Sequence, residues 1–254
     1  LANSPTEAVI HRFTAPDGVA LAWHEMGEGR PLVLIHGLFS SAFTNWIRYG
    51  HAARLARAGF RLIMPDLRAH GESAKPHDPA AYPPDILADD GFALLEHLAL
   101  TDYDLGGYSL GGRTVARMLA RGARPRRAMI AGMGLEGLHS TGARAHHFRD
   151  VLTGIGTHER GSPEWMAEAF LKTTGGDPRA LLPLLDSFVD TPEAVLRAIS
   201  TPVLVVAGEE DHDNGSAEAL AETLPDARFV AVPGNHMSAV MKPELGQAIV
   251  DFLA

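Results

Sequence analysis

The stretch Tyr103-Asp104-Leu105-Gly106-Gly107-Tyr108-Ser109-Leu110-Gly111-Gly112 decides how the whole chain is read. At its centre, Gly107-Tyr108-Ser109-Leu110-Gly111 has the form G-x-S-x-G. A serine at a sharp strand-to-helix turn is held in a strained backbone conformation, and flanking glycines let neighbouring backbone approach without a clash. Such a turn aims the hydroxyl out of the sheet and leaves the following N–H groups at a helix N-terminus, where developing negative charge is stabilised. Alone, the pentapeptide favours an ordinary glycine-rich turn. Its surroundings reverse that. Tyr103-Asp104-Leu105 precedes it as a short strand, and Gly111, Val115, Met118 and Leu119 follow at helical spacing, ending near Gly122. Asp102 and Asp104 make this the most polar strand of the expected core.

Outward from the turn, short runs are apolar at every residue: Leu32–Ile35, Leu62–Met64, Ala128–Ala131, Val203–Ala207 and Phe229–Val232. Runs without alternation fit strands buried on both faces of a parallel sheet. Helical stripes lie between them, at Leu87, Gly91, Leu94, Leu95 and Leu98, and again at Leu245, Ile249, Phe252 and Leu253. The fold class is therefore α/β, a mostly parallel doubly wound sheet of about eight strands with helices on both faces. Val9–Thr14 and Val19–His24, separated by Pro16-Asp17-Gly18, read as a hairpin that adds an antiparallel edge. From 133 to 190 the strand pattern vanishes, leaving glycines and helical fragments such as Pro163–Lys172. We expect a core domain of residues 1–132 and 191–254, with 133–190 inserted as a helical lid over one end of the sheet.

A serine hydroxyl at neutral pH needs a base, and the base needs an orienting acid. Pro233-Gly234-Asn235-His236 follows one apolar run, and Gly208-Glu209-Glu210-Asp211 follows another. Both loops fall at the carboxyl ends of strands, where groups that act on ligands gather in open α/β sheets. His236 is the candidate base and Asp211 the candidate acid, with Glu136, Glu210 and Asp213 as alternatives. Two preorganised N–H donors are needed to hold an oxyanion. Leu110 would supply one and Leu38, after His36-Gly37, the other.

These features, taken in order, resemble the α/β-hydrolase fold superfamily in its serine-nucleophile, esterase-like branch. They include Pro65-Asp66-Leu67-Arg68-Ala69-His70-Gly71-Glu72-Ser73, similar to the P-D-x-R-G-H-G-x-S segment. The resemblance implies Ser109 as nucleophile, His236 as base, Asp211 as acid, Leu38 and Leu110 as oxyanion donors, and no cofactor. Two departures stand out: Ala69 replaces a usual glycine, and Asn235 precedes the histidine where glycine is frequent. Asp66, Arg68 and His70 read as structural loop residues.

Gly132-Met133-Gly134-Leu135-Glu136-Gly137 spells a G-x-G-x-x-G dinucleotide fingerprint after a strand. That reading also requires a helix opening at the third glycine and an acid ending the next strand. Leu138-His139-Ser140-Thr141-Gly142 starts poorly as a helix, so no nucleotide is expected. Adjacent His146-His147 would not share a helix face and makes no metal site.

The implied activity is hydrolysis of a carboxylic ester or related acyl bond of a small hydrophobic molecule. The same triad would also serve a C–C bond hydrolase, lactonase, thioesterase or cofactor-free perhydrolase. The elbow serine argues against epoxide hydrolases and haloalkane dehalogenases, which carry aspartate there. A non-catalytic ligand-binding protein on this fold is the remaining alternative. Phe39, Tyr108, Met237 and Trp165 are candidate pocket residues. Leu135, Leu138, Phe148, Leu152, Ile155, Met166, Phe170 and Leu171 are lid residues that line the pocket or merely pack the lid.

Composition narrows the partners. A net charge of −9, from 31 acidic and 22 basic residues, argues against nucleic acid or an anionic membrane. With no cysteine, neither a disulfide nor a thiolate nucleophile is possible. Leu1-Ala2-Asn3-Ser4-Pro5 has no leader pattern, and no apolar run approaches the ~18 residues of a membrane span. A cytoplasmic protein with a small-molecule substrate is expected; the sequence leaves its oligomeric state open.

Overall fold

The computed structural model describes residues 7–254, so the opening Leu1-Ala2-Asn3-Ser4-Pro5 lies outside the described residues. β1 (Val9–Thr14) and β2 (Ala20–Met26) form the hairpin, closed where Asp17 Oδ1 accepts the Val19 N–H and Gly18 takes φ 88°. Then follow β3 (Arg30–Ile35), α1 (His51–Arg57), β4 (Phe60–Asp66), α2 (Ile86–His97), β5 (Asp104–Tyr108), α3 (Leu110–Ala120) and β6 (Ala128–Ala131). Five helices come next: α4 (Leu135–His139), α5 (Gly142–Thr153), α6 (Pro163–Thr173), α7 (Pro178–Asp186) and α8 (Glu193–Leu196). The chain returns to the sheet with β7 (Val203–Gly208), α9 (Ala217–Thr223), β8 (Ala227–Val232) and α10 (Pro243–Leu253).

The eight strands form one sheet in the order β1-β2-β4-β3-β5-β6-β7-β8. β2 runs antiparallel to both neighbours, and every pair from β4 to β8 is parallel. Successive side chains of a strand point to opposite faces, so an all-apolar strand feeds two cores. Val33, Ile35, Leu105, Ile130 and Val205 pack toward α2, α3 and α9. Leu32, Leu34, Met129, Leu204 and Val206 pack on the other face, toward α1 and α10. No helix among the described residues is long and apolar enough to cross a membrane.

β5 runs three residues beyond Leu105, through Gly106-Gly107-Tyr108, and is buried along its whole length. Glycine is a poor strand former, but here space is decisive. A Cβ on Gly107 would lie 2.3 Å from the Gly111 backbone, and one on Gly111 would lie 2.1 Å from Ile35 O. The strand can therefore turn straight into α3 and press that helix against β3. Asp104 is wholly buried at the base of β5, with the Arg30 guanidinium 2.7 Å away.

Two expectations are corrected. Phe229–Val232 reads as doubly buried, but β8 is one edge of the sheet, where Phe229 and Val230 are half-buried and Ala231 is exposed. A helix does open after Gly132-Met133-Gly134, namely the five-residue α4, which contains the third glycine and ends by Ser140. The glycines serve packing: Cβ atoms on Gly134 and Gly137 would lie 2.3 Å and 2.9 Å from Gly215 and Asn214.

Candidate active site

Three loops from the carboxyl ends of β5, β7 and β8 converge above the sheet. Ser109 joins β5 to α3 with φ 54° and ψ −115°, a conformation that side-chain-bearing residues avoid. Its backbone is fixed on both sides, by Ser109 N–H to Ala131 O at 2.8 Å and Arg113 N–H to Ser109 O at 3.0 Å. Ser109 Oγ lies 3.0 Å from His236 Nε2, and His236 Nδ1 lies 2.9 Å from Asp211 Oδ2. An ionised carboxylate only accepts, so Nδ1 carries the proton and Nε2 is left to accept from the serine hydroxyl. Asp211 and His236 are both buried.

The histidine loop is built by the residue that departs from the expected pattern. Asn235 Oδ1 accepts the N–H groups of Met237 and Ser238 at 3.1 Å and 3.0 Å. This side-chain turn does what backbone freedom would otherwise provide, after Gly234 has already taken φ 106°. From below, Tyr108 donates its hydroxyl to His236 O at 2.6 Å.

The other acids sit elsewhere. Glu136 Oε2 accepts the Ser216 N–H at 2.8 Å, Asp213 pairs with Arg144 at 2.9 Å, and Glu210 is exposed.

The loop after β3 is held from three directions. Gly37 O accepts from His36 Nδ1 at 2.7 Å and from Ser40 N–H at 3.2 Å. Across a planar trans peptide, that orientation turns the Leu38 N–H the opposite way. A Cβ on Gly37 would lie 3.3 Å from Ser109 Cβ, so this peptide borders the serine. The Gly37 N–H is taken by Asn45 Oδ1 at 3.1 Å. Phe39, at φ 60°, donates its N–H to His70 Nε2 at 3.1 Å, and its carbonyl accepts from Thr174 Oγ1 at 2.6 Å. Leu110 opens α3 directly after Ser109.

Behind this loop lies a buried polar network. Asp66 accepts from Ala42 N–H at 2.7 Å, Glu72 N–H at 2.9 Å and His24 Nε2 at 3.1 Å. Burial works to raise its pKa, but the His24 hydrogen bond, neighbouring His36 and the two N–H donors outweigh it and hold the carboxyl well below the usual range. Burial, with His36 beside it, lowers the His70 pKa to about 3 and keeps the ring neutral. Arg68 pairs with Asp90 and Asp17. These residues position the loop and do not reach Ser109.

Two cavities flank the serine. The larger, about 250 Å³, is bordered by Leu38, Tyr49, Tyr108, Phe170, His236 and Met237 among others. The smaller, about 20 Å³, is bordered by Leu38, Leu110, Arg113, Arg144, Phe148 and Phe188 among others. Of the expected pocket residues, Tyr108 and Met237 line the larger space. Phe39 borders neither cavity; its ring is buried against Phe148 at 5.3 Å. Trp165 borders neither, because α6 turns it outward, and Met166 is likewise exposed. Leu138, Leu152 and Leu171 are core residues, whereas Phe148 and Phe170 reach the cavities. His146 faces Asp150 and His147 faces Glu164, each at 3.5 Å.

Two neighbours of the serine escape a reading by residue type. Asn45 sits in a turn of helix that has no apolar period to mark it. Arg113 sits one turn into α3, where an arginine is ordinarily expected at the surface. It is 5% exposed, with its guanidinium 5.0 Å from the Phe188 ring. Burial, and then nearby Arg144, lower its pKa to about 10, against a smaller opposing pull from Asp190; it remains a cation at neutral pH.

Sheet order, elbow and converging loops define a hydrolase-type α/β fold. The model of the alpha/beta hydrolase family matches residues 32–245, and the chain belongs to that family. A non-heme haloperoxidase of Rhodococcus erythropolis is 28% identical over 87% of this chain and 90% of its own. A hydrolase from Pseudomonas aeruginosa PA01 superposes with TM-score 0.79 at 23% identity, over 96% of this chain and 98% of the other. A thermophilic esterase from Thermogutta terrifontis superposes with TM-score 0.73 at 27% identity, over 97% and 98%. The first curated relatives are matched over only 40%, 31% and 38% of their own length.

Proposed function

We propose that the chain is a serine hydrolase that cleaves a carboxylic ester or related acyl bond of a small molecule. The observation that carries this reading is the continuous hydrogen-bonded line from Ser109 Oγ through His236 to Asp211, ending on a serine of strained backbone at a helix N-terminus. Ser109 Oγ attacks the carbonyl carbon while its proton passes to His236 Nε2. The carbonyl oxygen, now negative, is held by the N–H groups of Leu38 and Leu110. Collapse of this intermediate breaks the ester bond, and the leaving oxygen takes the proton from His236. Water then attacks the acyl-enzyme, giving its proton to the same nitrogen, and the acid departs as Ser109 is restored. Asp211 holds the ring orientation and balances the imidazolium. Residues 133–190 form the lid, whose Phe148 and Phe170 shape the two cavities.

Labelling with a fluorophosphonate probe tests the reading. Ser109 should take the label and Ser109→Ala should not. Turnover of p-nitrophenyl esters should fall by roughly 10⁴- to 10⁶-fold in Ser109→Ala or His236→Ala. Absence of labelling in the wild-type chain would favour a ligand-binding role. A second reading, perhydrolysis of the same acyl-enzyme by hydrogen peroxide, is supported by the similarity to a haloperoxidase. Peracid formation from acetate and peroxide would distinguish it.

A further inference from the structure

The small cavity beside Ser109 contains a cation whose hydrogen-bonding capacity is left over. Arg113 Nε and Nη1 are enclosed and have no hydrogen-bond partner among the described residues. Stacking over Phe188 accounts for one face of the guanidinium, but it leaves the in-plane N–H groups unused. Such a group is costly to bury unless something pairs with it. Arg113 also borders the next space along α3, where the Asp85 carboxylate is already bonded to Arg117 and Arg121. Arg144, from α5, adds a second guanidinium to the cavity wall, its own partner being Asp213. The cavity is therefore positive, partly desolvated and lacks a resident anion.

Its position gives the anion a place in the substrate. His236 must hand its proton to the leaving oxygen, so the leaving group occupies the larger cavity, which His236 borders. The smaller cavity lies beside Ser109 without His236 and opens on Leu38 and Leu110, the donors assigned to the oxyanion. It is the acyl side. Its volume of about 20 Å³ is room for about one water-sized group, so it takes only the terminal atoms of a short arm. We propose that Arg113 is an anion-binding residue of the acyl subsite, and that the preferred substrates are esters or lactones whose short acyl arm ends in a carboxylate. This deepens the hydrolase reading and rests on it.

Ethyl hydrogen succinate and ethyl butyrate make a matched pair, since a carboxylate replaces a methyl at the end of the same four-carbon acyl chain. At pH 7.5 the wild-type kcat/KM should favour the succinate by about tenfold or more, the size expected of a charge-assisted hydrogen bond, with most of the difference in KM. In Arg113→Met, which keeps the length and removes the charge, the ratio should fall to about one or below, and Arg113→Lys should restore part of it. Sodium succinate should also slow fluorophosphonate labelling of Ser109 in the wild type but not in Arg113→Met. That readout needs no turnover, and labelling of the variant by itself reports an intact site. Normal labelling with neither an ester preference nor succinate protection would overturn the role of Arg113 alone. A preference that survives unchanged in Arg113→Met would do the same. No labelling of wild-type Ser109 would remove the hydrolase reading, and this one with it.

Discussion

Glu136, in α4 just after β6, accepts the Ser216 N–H at 2.8 Å and so fastens that helix to the loop that follows β7. The same seam holds Gly137 N–H to Asn214 O at 2.9 Å and Asn214 Nδ2 to Gly132 O at 3.0 Å. An acid that the sequence offers as an alternative to Asp211 thus braces the loop that carries Asp211, without facing His236 itself.

The two carboxylates should separate cleanly on substitution. Asp211→Asn removes the charge and presents the wrong hydrogen-bonding partner to His236 Nδ1, so kcat should fall by roughly 10³- to 10⁴-fold with little loss of stability. Glu136→Gln keeps an acceptor for Ser216, so kcat should change by less than about tenfold and stability by about 1 kcal/mol at most. Steady-state kinetics and urea unfolding of both variants check the assignment. A large kcat loss confined to Glu136→Gln would reverse it.

Acid should weaken the fold from about pH 6.5 downward, through its buried histidines. His70 is lowered from 6.5 to about 3, and His36 and His51 are also lowered, chiefly by burial. Below pH 6.5 the unfolded chain binds protons that these folded rings refuse, so stability is full above 6.5 and declines as pH falls. Each ring contributes a slope of up to ~1.4 kcal/mol per pH unit. Asp66, depressed below its ordinary 3.8, adds a further loss only as pH drops under that value. Urea unfolding at pH 7.5, 6.0 and 5.0 should show the decline, and His70→Gln should remove one ring's share of the slope. A flat profile would contradict the neutral burial of these histidines.

What the sequence discloses depends on how local the deciding force is. Strands β3, β4, β6 and β7 are visible because burial on both faces requires a run of consecutive apolar residues along their inner stretch. The same rule misplaces β8, since an apolar run does not reveal that one flank of a strand is the edge of the sheet. The reach of β5 through Gly106-Gly107 is invisible to propensity, because the close approach of Gly111 to Ile35 is tertiary. Ser109, His236 and Asp211 are legible as loop residues after strands, a relationship that the alternation of elements preserves. Arg113 is not, because an arginine on a helix carries no mark of being buried. Trp165 errs in the opposite sense: a large aromatic in a helical insertion suggests a pocket, and the facing of α6 decides otherwise.

Ala69 answers for its departure from glycine in energetic terms. It takes φ 69° and is fully buried. Ala69→Gly should relieve roughly 1–2 kcal/mol of left-handed strain. It should also lose ~0.8 kcal/mol of methyl burial and 0.4–1 kcal/mol, approximately, to a freer unfolded chain. The terms nearly cancel, so the midpoint of urea unfolding should correspond to a change within about 1 kcal/mol. A larger gain would mean that the buried methyl contributes nothing to packing.

Asn45 offers the sharpest test of the loop that carries the Leu38 N–H. Its Oδ1 accepts the Gly37 N–H at 3.1 Å, it is 3% exposed, and it borders the larger cavity beside Ser109. Asn45→Ala removes the acceptor and lets the Gly37 peptide rotate, which misaims the next N–H; kcat for p-nitrophenyl esters should fall by about tenfold while KM moves little, since the donor matters most when charge has developed. Asn45→Asp keeps the acceptor and the shape but adds a negative charge near the developing oxyanion. If the loop's task is electrostatic, the aspartate variant should be slower than the alanine variant by a further factor of roughly ten, about 1.4 kcal/mol at this buried site. That extra loss should lessen as pH is lowered toward the range where the new carboxyl takes a proton. If instead Asn45→Asp matched the wild type, Gly37 would need only an acceptor at that position, and charge stabilisation by this loop would have to be abandoned.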